Sequence, residues 1–352
     1  MYERNQVISP FTLFRKEKKM FPPFLTTQEP ALKYGIKALN IEQGSEVLIP
    51  DFICDSVLHP FNDLNIQPVF YTIKQDMTPD WIKLKKAVNK KTRTLLFTHY
   101  FRIPQQIEKF IDFSKQNNIR LIEDNAHSFP GKYKGKTLGT FGDIGIISIR
   151  KTLPVYDGGW LYLKDDYKIT IPDLPTQRIN YKSIIKILCK LMIKKNQFLK
   201  STLLKPEPYS NMDGFYAPKI PEYSMHKSSY YYLKKINTDS IVKRRQAIYK
   251  IWKKWTHQNG LEPIFSQPLT EESPLVFPCY AADESIRNKW FDWGYQNNIC
   301  VHSWPQLPKE VQDKSKYNAP VIWQKLICFP INQGMNPKKP KPYLEKIGGV
   351  DV

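Results

Sequence analysis

Between Leu121 and Leu163 the chain reads LIEDNAHSFPGKYKGKTLGTFGDIGIISIRKTLPVYDGGWLYL. An acid, a histidine, a serine and a lysine stand at the edges of successive hydrophobic runs. Leu121 and Ile122 run into Glu123 and Asp124, which puts these carboxylates where a short buried strand would end. Ile144 to Ile149 read as a second buried strand, ending at Ser148, Arg150 and Lys151. Open α/β sheets bind ligands outside the carboxyl ends of their strands, so Asp124 and Lys151 are expected to face each other in one crevice. A carboxylate to hold a protonated ring nitrogen and a lysine amine to condense with a carbonyl are the two groups that pyridoxal phosphate chemistry requires.

The elements that must position these residues alternate between helical and strand-like patterns. After an irregular basic arm, residues 1–24, helical spacing from Thr27 to Leu39 gives way to the apolar run Val47-Leu48-Ile49, stopped by Pro50. Val69 to Ile73 and Thr94 to Thr98 read as further buried strands. Between them Thr78 and Pro79 predict a helix start, with threonine as cap, running through Val88. Pro104 to Asn117 repeats that start, and Arg120 to Ile122 follows as a strand. Strands separated by helices of this length imply an α/β fold, a mostly parallel central sheet with helices on both faces.

Beyond Lys164 the alternation stops in a segment rich in proline and lysine, 165–235, read as a connection within the large domain (25–235). A capped amphipathic helix (Asn237 to Asn259), a strand (Leu275 to Tyr280), a helix (Asp283 to Asn298) and a strand (Ile299 to His302) then predict a smaller C-terminal α+β domain, 236–352. No internal repeat is visible.

Composition narrows the function classes. The chain has 352 residues, 41% hydrophobic and 13% aromatic, which suits a packed protein with room for two domains. Its formal charge of +20 suggests an acidic partner: an anionic membrane surface, a nucleotide-linked substrate or nucleic acid. Nucleic acid has the weakest support, because no recognition motif accompanies the charge. Five cysteines, Cys54, Cys189, Cys279, Cys300 and Cys328, form no CxxC pair, so a reducing compartment is expected and no metal site. No segment approaches the roughly 18 uncharged apolar residues of a membrane span, and the expected location is cytoplasmic.

The motifs EVLIPDFICDS, PVFYTI, EDNAHS, KGKTLGTFGDIG and SIRKTLPVYDGG, in this order, resemble the DegT/DnrJ/StrS-type aminotransferases, fold-type I enzymes that use pyridoxal phosphate. The resemblance spans roughly Thr26 to Asn332. It implies that Asp124 pairs with the pyridine nitrogen and that Lys151 is the Schiff-base lysine and proton shuttle. It further implies that His127 lies near the cofactor's 3-oxygen, that Ser148 binds phosphate, and that Cys54 stands where relatives put an aromatic on the ring face. Expected substrates are an amino acid donor and a nucleotide-linked keto sugar of surface-glycan biosynthesis, and the expected assembly is a homodimer. Family dehydratases replace the lysine with histidine, so Lys151 argues against that branch.

Three departures accompany the resemblance. Relatives hold the phosphate with Ser-Gly-Thr at a helix N-terminus, where this chain has Thr27, Gln28 and Glu29. Thr26-Thr27-Gln28-Glu29 is moreover a capping-box pattern, which predicts that the glutamate folds back over that helix end and repels a phosphate. The loop from Ser148 to Gly158 is short. Arg102 stands where relatives have glycine, and Arg102 or Arg150 is expected to compensate by binding phosphate or a substrate carboxylate.

Each residue also has a plainer reading. Asp124 by itself suits a turn cap, Lys151 a solvated lysine, His127 a structural histidine and Cys54 a small buried hydrophobe. Gly158 and Gly159 suit a turn first and a close backbone approach second. In 182–205, Lys182, Lys186, Lys190 and Lys194 face away from Ile184, Ile187, Leu188, Leu191 and Met192, a basic amphipathic helix suited to an anionic membrane or simply to solvent. The competing functional reading is a lapsed relative that keeps the fold as a binding or scaffolding protein at a membrane.

Overall fold

The computed structural model describes residues 25, 27–153, 155, 157–176, 220, 222–297, 299–304 and 306–331. The N-terminal arm and the basic helix expected within 182–205 lie outside these residues. In chain order the elements are α1 (Gln28–Ala38), β1 (Glu46–Pro50), α2 (His59–Asp63), β2 (Gln67–Tyr71), α3 (Trp81–Ala87), β3 (Thr92–Thr98), α4 (Ile107–Gln116) and β4 (Arg120–Asn125). The short β5 (Lys132–Tyr133) and β6 (Lys136–Thr137) follow, then β7 (Ile144–Ser148), the single turn α5 (Ile149–Thr152) and β8 (Gly159–Leu163). The remainder comprises α6 (Lys227–Leu233), α7 (Thr238–Gln258), β9 (Glu262–Pro263), β10 (Val276–Tyr280), α8 (Glu284–Gln296), α9 (Ala319–Lys325) and β11 (Leu326–Pro330).

The main sheet has six strands in the order β2-β1-β3-β4-β7-β8. All neighbours are parallel except β7 and β8. The parallel strands are apolar on both faces because helices cover both. Register then decides which face each side chain meets. Leu96 pairs with Ile122 and Ile122 with Ile144, and all three pack with Ala31, Leu32 and Ile36 of α1. Leu95 pairs with Leu121, and both pack on the opposite face with Phe110 and Phe113 of α4. Side chains alternate along a strand, so Asp124, two residues beyond Ile122, faces the α1 side, and Glu123 faces the other.

The C-terminal region builds an antiparallel sheet, β11-β10-β9, packed by α7 and α8. Trp252, Trp255, Trp290, Trp293 and Phe329 form one aromatic cluster there; Trp252 stacks on Phe329 at 4.6 Å and 28°. Rings this large carry most of the buried apolar area of a small domain. The region does not stand apart, because Phe265, Leu307, Ile322 and Trp323 share a core with β3 and α4.

Several element boundaries differ from the sequence expectation. Thr78 does not cap α3: Asp76 ties it into a turn, and Asp80 caps the helix by accepting from the N–H groups of Ile82 and Lys83, both at 3.1 Å. A carboxylate one residue before the helix outcompetes a hydroxyl three before it. Likewise α4 begins at Ile107, not at Pro104, with no side-chain cap. Ile299 to His302 is not a strand; only His302 makes an isolated bridge, to Cys328. The N-cap of α1 is Thr27, which gives no side-chain hydrogen bond. The capping box is therefore out of phase: three residues after Thr27 stands Pro30, and Glu29 falls at the second helical position.

Candidate active site

Asp124, Ser148 and Lys151 come together because β4 and β7 are adjacent, parallel and in register. Thr98 pairs with Asp124 and Asp124 with Ile146, so Ser148, two residues on, points to the same face. Ser148 is the N-cap of α5, and that single helical turn swings Lys151 back toward Asp124. Asp124 is buried, with its Oδ1 accepting from the Ala126 N–H at 2.9 Å.

The two charges shift each other's chemistry. Burial raises the pKa of Asp124, opposed by the Lys151 charge and the Ala126 N–H. Burial lowers that of Lys151, opposed by Cys54, Asp124 and Glu29, while Arg150 lowers it further. A desolvated amine spends more of its time unprotonated, which a lysine nucleophile requires. Cys54, Asp124, Arg150 and Glu29 all act electrostatically on this one amine.

His127 is buried beside them. Its Nδ1 accepts from the Phe101 N–H at 3.5 Å, and its ring stacks on Phe101 at 5.8 Å and 16°. Burial and the Lys151 charge hold its pKa well below the usual histidine value. The ring is thus neutral, and with Nδ1 accepting, Nε2 carries the proton and is a donor.

The start of α1 closes the corner. Gly159 pairs with Ser148 across β7 and β8, and exchanges backbone hydrogen bonds with Leu25 at 2.7 and 3.0 Å. A Cβ on Gly159 would lie 2.0 Å from the Thr27 carbonyl oxygen and 2.8 Å from the Gln28 nitrogen. Close approach is therefore the reason for this glycine, whereas Gly158, at φ +142°, serves the turn. Thr27, Gln28 and Ser148 consequently share one corner, with the first N–H groups of α1 uncapped. Gln28 is buried there with its Oε1 unpartnered.

The two arginines have different fates. Arg150 is exposed beside Lys151. Arg102, expected to hold a phosphate or carboxylate, is turned into the contact with the C-terminal region. Its guanidinium donates to the Gln267 carbonyl at 2.8 Å, lies 3.9 Å from the Glu272 carboxylate and covers the rings of Tyr249 and Phe265. These four partners, Tyr249 on α7 and three residues of the 265–272 segment, occupy the guanidinium. Cys54 is half-buried, with Sγ 3.3 Å from the Ser56 hydroxyl.

Three features escaped the sequence reading. Glu123, on the opposite face from Asp124, accepts from the N–H groups of Gly139, Phe141 and Gly142 at 2.6, 2.5 and 3.1 Å and pairs with His99 Nε2 at 2.8 Å. Its carboxylate oxygens clamp the 139–142 turn to the strand that carries Asp124; the EDNAHS motif contained Glu123 without showing that role. Arg245 of α7 donates to the Pro274 and Leu275 carbonyls at 2.7 and 2.8 Å and to Thr152, next to Lys151, at 3.4 Å. Trp304 lies with its ring centroid 4.2 Å from that of His127 and 5.5 Å from Lys151 Nζ. No local pattern marks a residue so distant in sequence. Among the described residues there is no cluster of side chains able to hold a metal ion, and no helix long and apolar enough to cross a membrane.

The chain is similar to known proteins in sequence and in fold. The sequence profile of the DegT/DnrJ/EryC1/StrS aminotransferase family matches residues 27–171. GDP-perosamine synthase of Escherichia coli O157:H7 is 29% identical over 138 residues, 38% of this chain and 38% of that enzyme. The match thus spans well under half of that curated relative. In three dimensions the aminotransferase TlmJ of Streptoalloteichus hindustanus superimposes with a TM-score of 0.66 at 15% identity, covering 92% of this chain and 84% of that one. GDP-4-keto-6-deoxy-D-mannose-3-dehydratase of E. coli, solved with hydrated pyridoxal phosphate, gives 0.64 at 16% identity, covering 96% and 90%. The fold is that of the pyridoxal phosphate aminotransferases, including the strands and helices of the C-terminal region.

Proposed function

Because residues 27–171 match the DegT/DnrJ/EryC1/StrS aminotransferase family, we propose that this chain is a pyridoxal phosphate-dependent aminotransferase that transfers an amino group from an amino acid to a nucleotide-linked keto sugar. The observation that carries the proposal is the buried pair of Asp124 and Lys151 at the carboxyl edge of adjacent parallel strands, each shifted toward neutrality by burial. A curated relative named for a GDP-linked amino sugar supports the substrate class.

The donor set fits the cofactor. Ser148 supplies a hydroxyl, the uncapped start of α1 supplies N–H groups for a phosphate, and the Gln28 amide is buried there without a partner for Oε1. Thr98, across the sheet from Asp124, also has a buried hydroxyl without a partner. Bound pyridoxal phosphate supplies an electron sink for the bond broken at the donor's α-carbon.

The chain's own residues do the rest. Asp124 keeps a ring nitrogen protonated, since its carboxylate is stabilised when a cation replaces water beside it. Lys151, its amine desolvated beside Asp124, would hold the cofactor through its carbonyl carbon and would move a proton at the substrate carbon. His127, with Nδ1 engaged by the Phe101 N–H, would offer its Nε2 proton to an oxygen on the cofactor ring. Cys54 lines the wall, and Arg150, exposed beside Lys151, is available to a substrate carboxylate or phosphate. The family resemblance supports a homodimer, and the chain's +20 charge suits an anionic nucleotide carrier or a membrane face in surface-glycan synthesis.

Absorbance of the purified protein with pyridoxal phosphate, wild type against Lys151→Ala, is the test. A band at the edge of the visible lost in the variant supports the enzyme. The second reading, a lapsed relative acting as a scaffold, is favoured by Glu29 within the field of Lys151. Absence of a band under saturating cofactor would establish that reading and overturn the first.

A further inference from the structure

Trp304 belongs to the C-terminal region yet stands over the large domain's lysine. Two anchors hold its loop: His302 and Cys328 exchange backbone hydrogen bonds at 2.7 and 3.3 Å, and the Asp55 N–H donates to the Gln306 carbonyl at 3.0 Å. Between them the indole meets His127 edge to face at 4.2 Å and 78°, and Phe52 and Phe101 at 6.2 and 6.1 Å in the same manner. Lys151 Nζ sits 5.5 Å from its centroid. The ring is half-buried.

We propose that Trp304 is the aromatic cover of the Lys151 site, contacting the flat ring of whatever Lys151 binds and closing it from solvent. The inference rests on the pyridoxal phosphate reading. The warrant is positional: Lys151 Nζ lies over the indole face, 5.5 Å from its centroid, so a planar group joined to that amine starts on the indole side of the site. Cys54, on the loop that Trp304 leans against, offers sulfur and no ring face. The edge-to-face contact with His127 holds the indole with its face toward the Lys151 amine. Because the loop is tied to both β11 and Asp55, ring contact at Trp304 couples cofactor binding to docking of the C-terminal region on the sheet.

The test uses the full chain and its own fluorescence. Trp304→Ala is expected to weaken pyridoxal phosphate binding about tenfold by absorbance titration, and Trp304→Phe to restore most of it. Wild-type tryptophan emission is expected to be quenched on binding, with the largest share lost in Trp304→Phe and little change in Trp81→Phe, whose indole packs on Phe110 and Phe113 of α4. A merely structural tryptophan would change stability without changing that quenching. A Lys151-dependent band with unchanged affinity and unchanged quenching in the folded Trp304→Phe protein overturns this inference and leaves the enzyme reading standing. No band in the wild type overturns both.

Discussion

Gly159 stands opposite Ser148 in the β7–β8 ladder, and the carbonyl of Thr27 occupies the space its side chain would need, 2.0 Å from the absent Cβ. One missing methyl group therefore sets the distance between the helix start and the serine that are proposed to share a phosphate. Gly159→Ala should cost about 1–3 kcal/mol of stability through overpacking and reduce pyridoxal phosphate affinity at least tenfold. Thermal unfolding and absorbance titration check it together. Normal affinity in the variant would mean that the corner does not hold the cofactor.

Glu29 sits at the second position of α1, out of phase with any capping box, and its charge reaches Lys151. A negative side chain near an N-terminus stabilises the helix but opposes a phosphate at the same end. Glu29→Gln should tighten cofactor binding about threefold to tenfold, more at low salt than at high. Weaker binding in the variant would show instead that the glutamate donates order to the site.

Asp51 links β1 to the C-terminal region: Oδ1 accepts from Ile73 and Oδ2 from Asn318 at 2.8 and 3.1 Å. Burial pushes its pKa up to about 6, against those hydrogen bonds. The folded state therefore holds the proton more tightly than the unfolded chain, and the associated stability is full below pH ~4 and lost as pH rises through about 6. At about 1.4 kcal/mol per unit, the advantage of wild type over Asp51→Asn should shrink by about 3 kcal/mol between pH ~4 and pH ~7 in denaturant titrations. A difference independent of pH would place the ordinary carboxyl pKa there.

Arg102 is buried against the Gln267 carbonyl, the Glu272 carboxylate and the Tyr249 ring. Arg102→Ala should destabilise the protein by about 3–5 kcal/mol, because it strands polar groups in the contact, while cofactor affinity falls by less than threefold. The opposite pattern, intact stability with lost affinity, would return this arginine to the ligand role.

How much of this could be read from the residues varies by element. The paired runs ending at Asp124 and Lys151 were legible, because a buried strand needs only a short apolar run and its end is marked by the first charged residues. The long helices α7 and α8 carried their own caps, Asn237 and Asp283, and were found with nearly their observed bounds. Helix starts near Pro79 and Pro104 were misplaced, since proline is compatible with a first turn without requiring one, and at α3 Asp80 won the cap. The single bridge at His302 had the composition of a strand but no neighbour in register to extend it.

By itself the sequence determined the kind of chemistry and its frame: an acid and a lysine at the ends of neighbouring buried strands, in an alternating α/β chain. Those are local properties, written in hydrophobic period and in residue type. Only the tertiary structure decided what Glu123 does: the register with Ile122 and Ile144 turns it to the face opposite Asp124, where it holds the 139–142 turn. It likewise turned Arg102 away from the site and brought Trp304 over Lys151. Such contacts depend on the packing of segments far apart in the chain, and side-chain direction there is set by which partners satisfy a buried charge or ring.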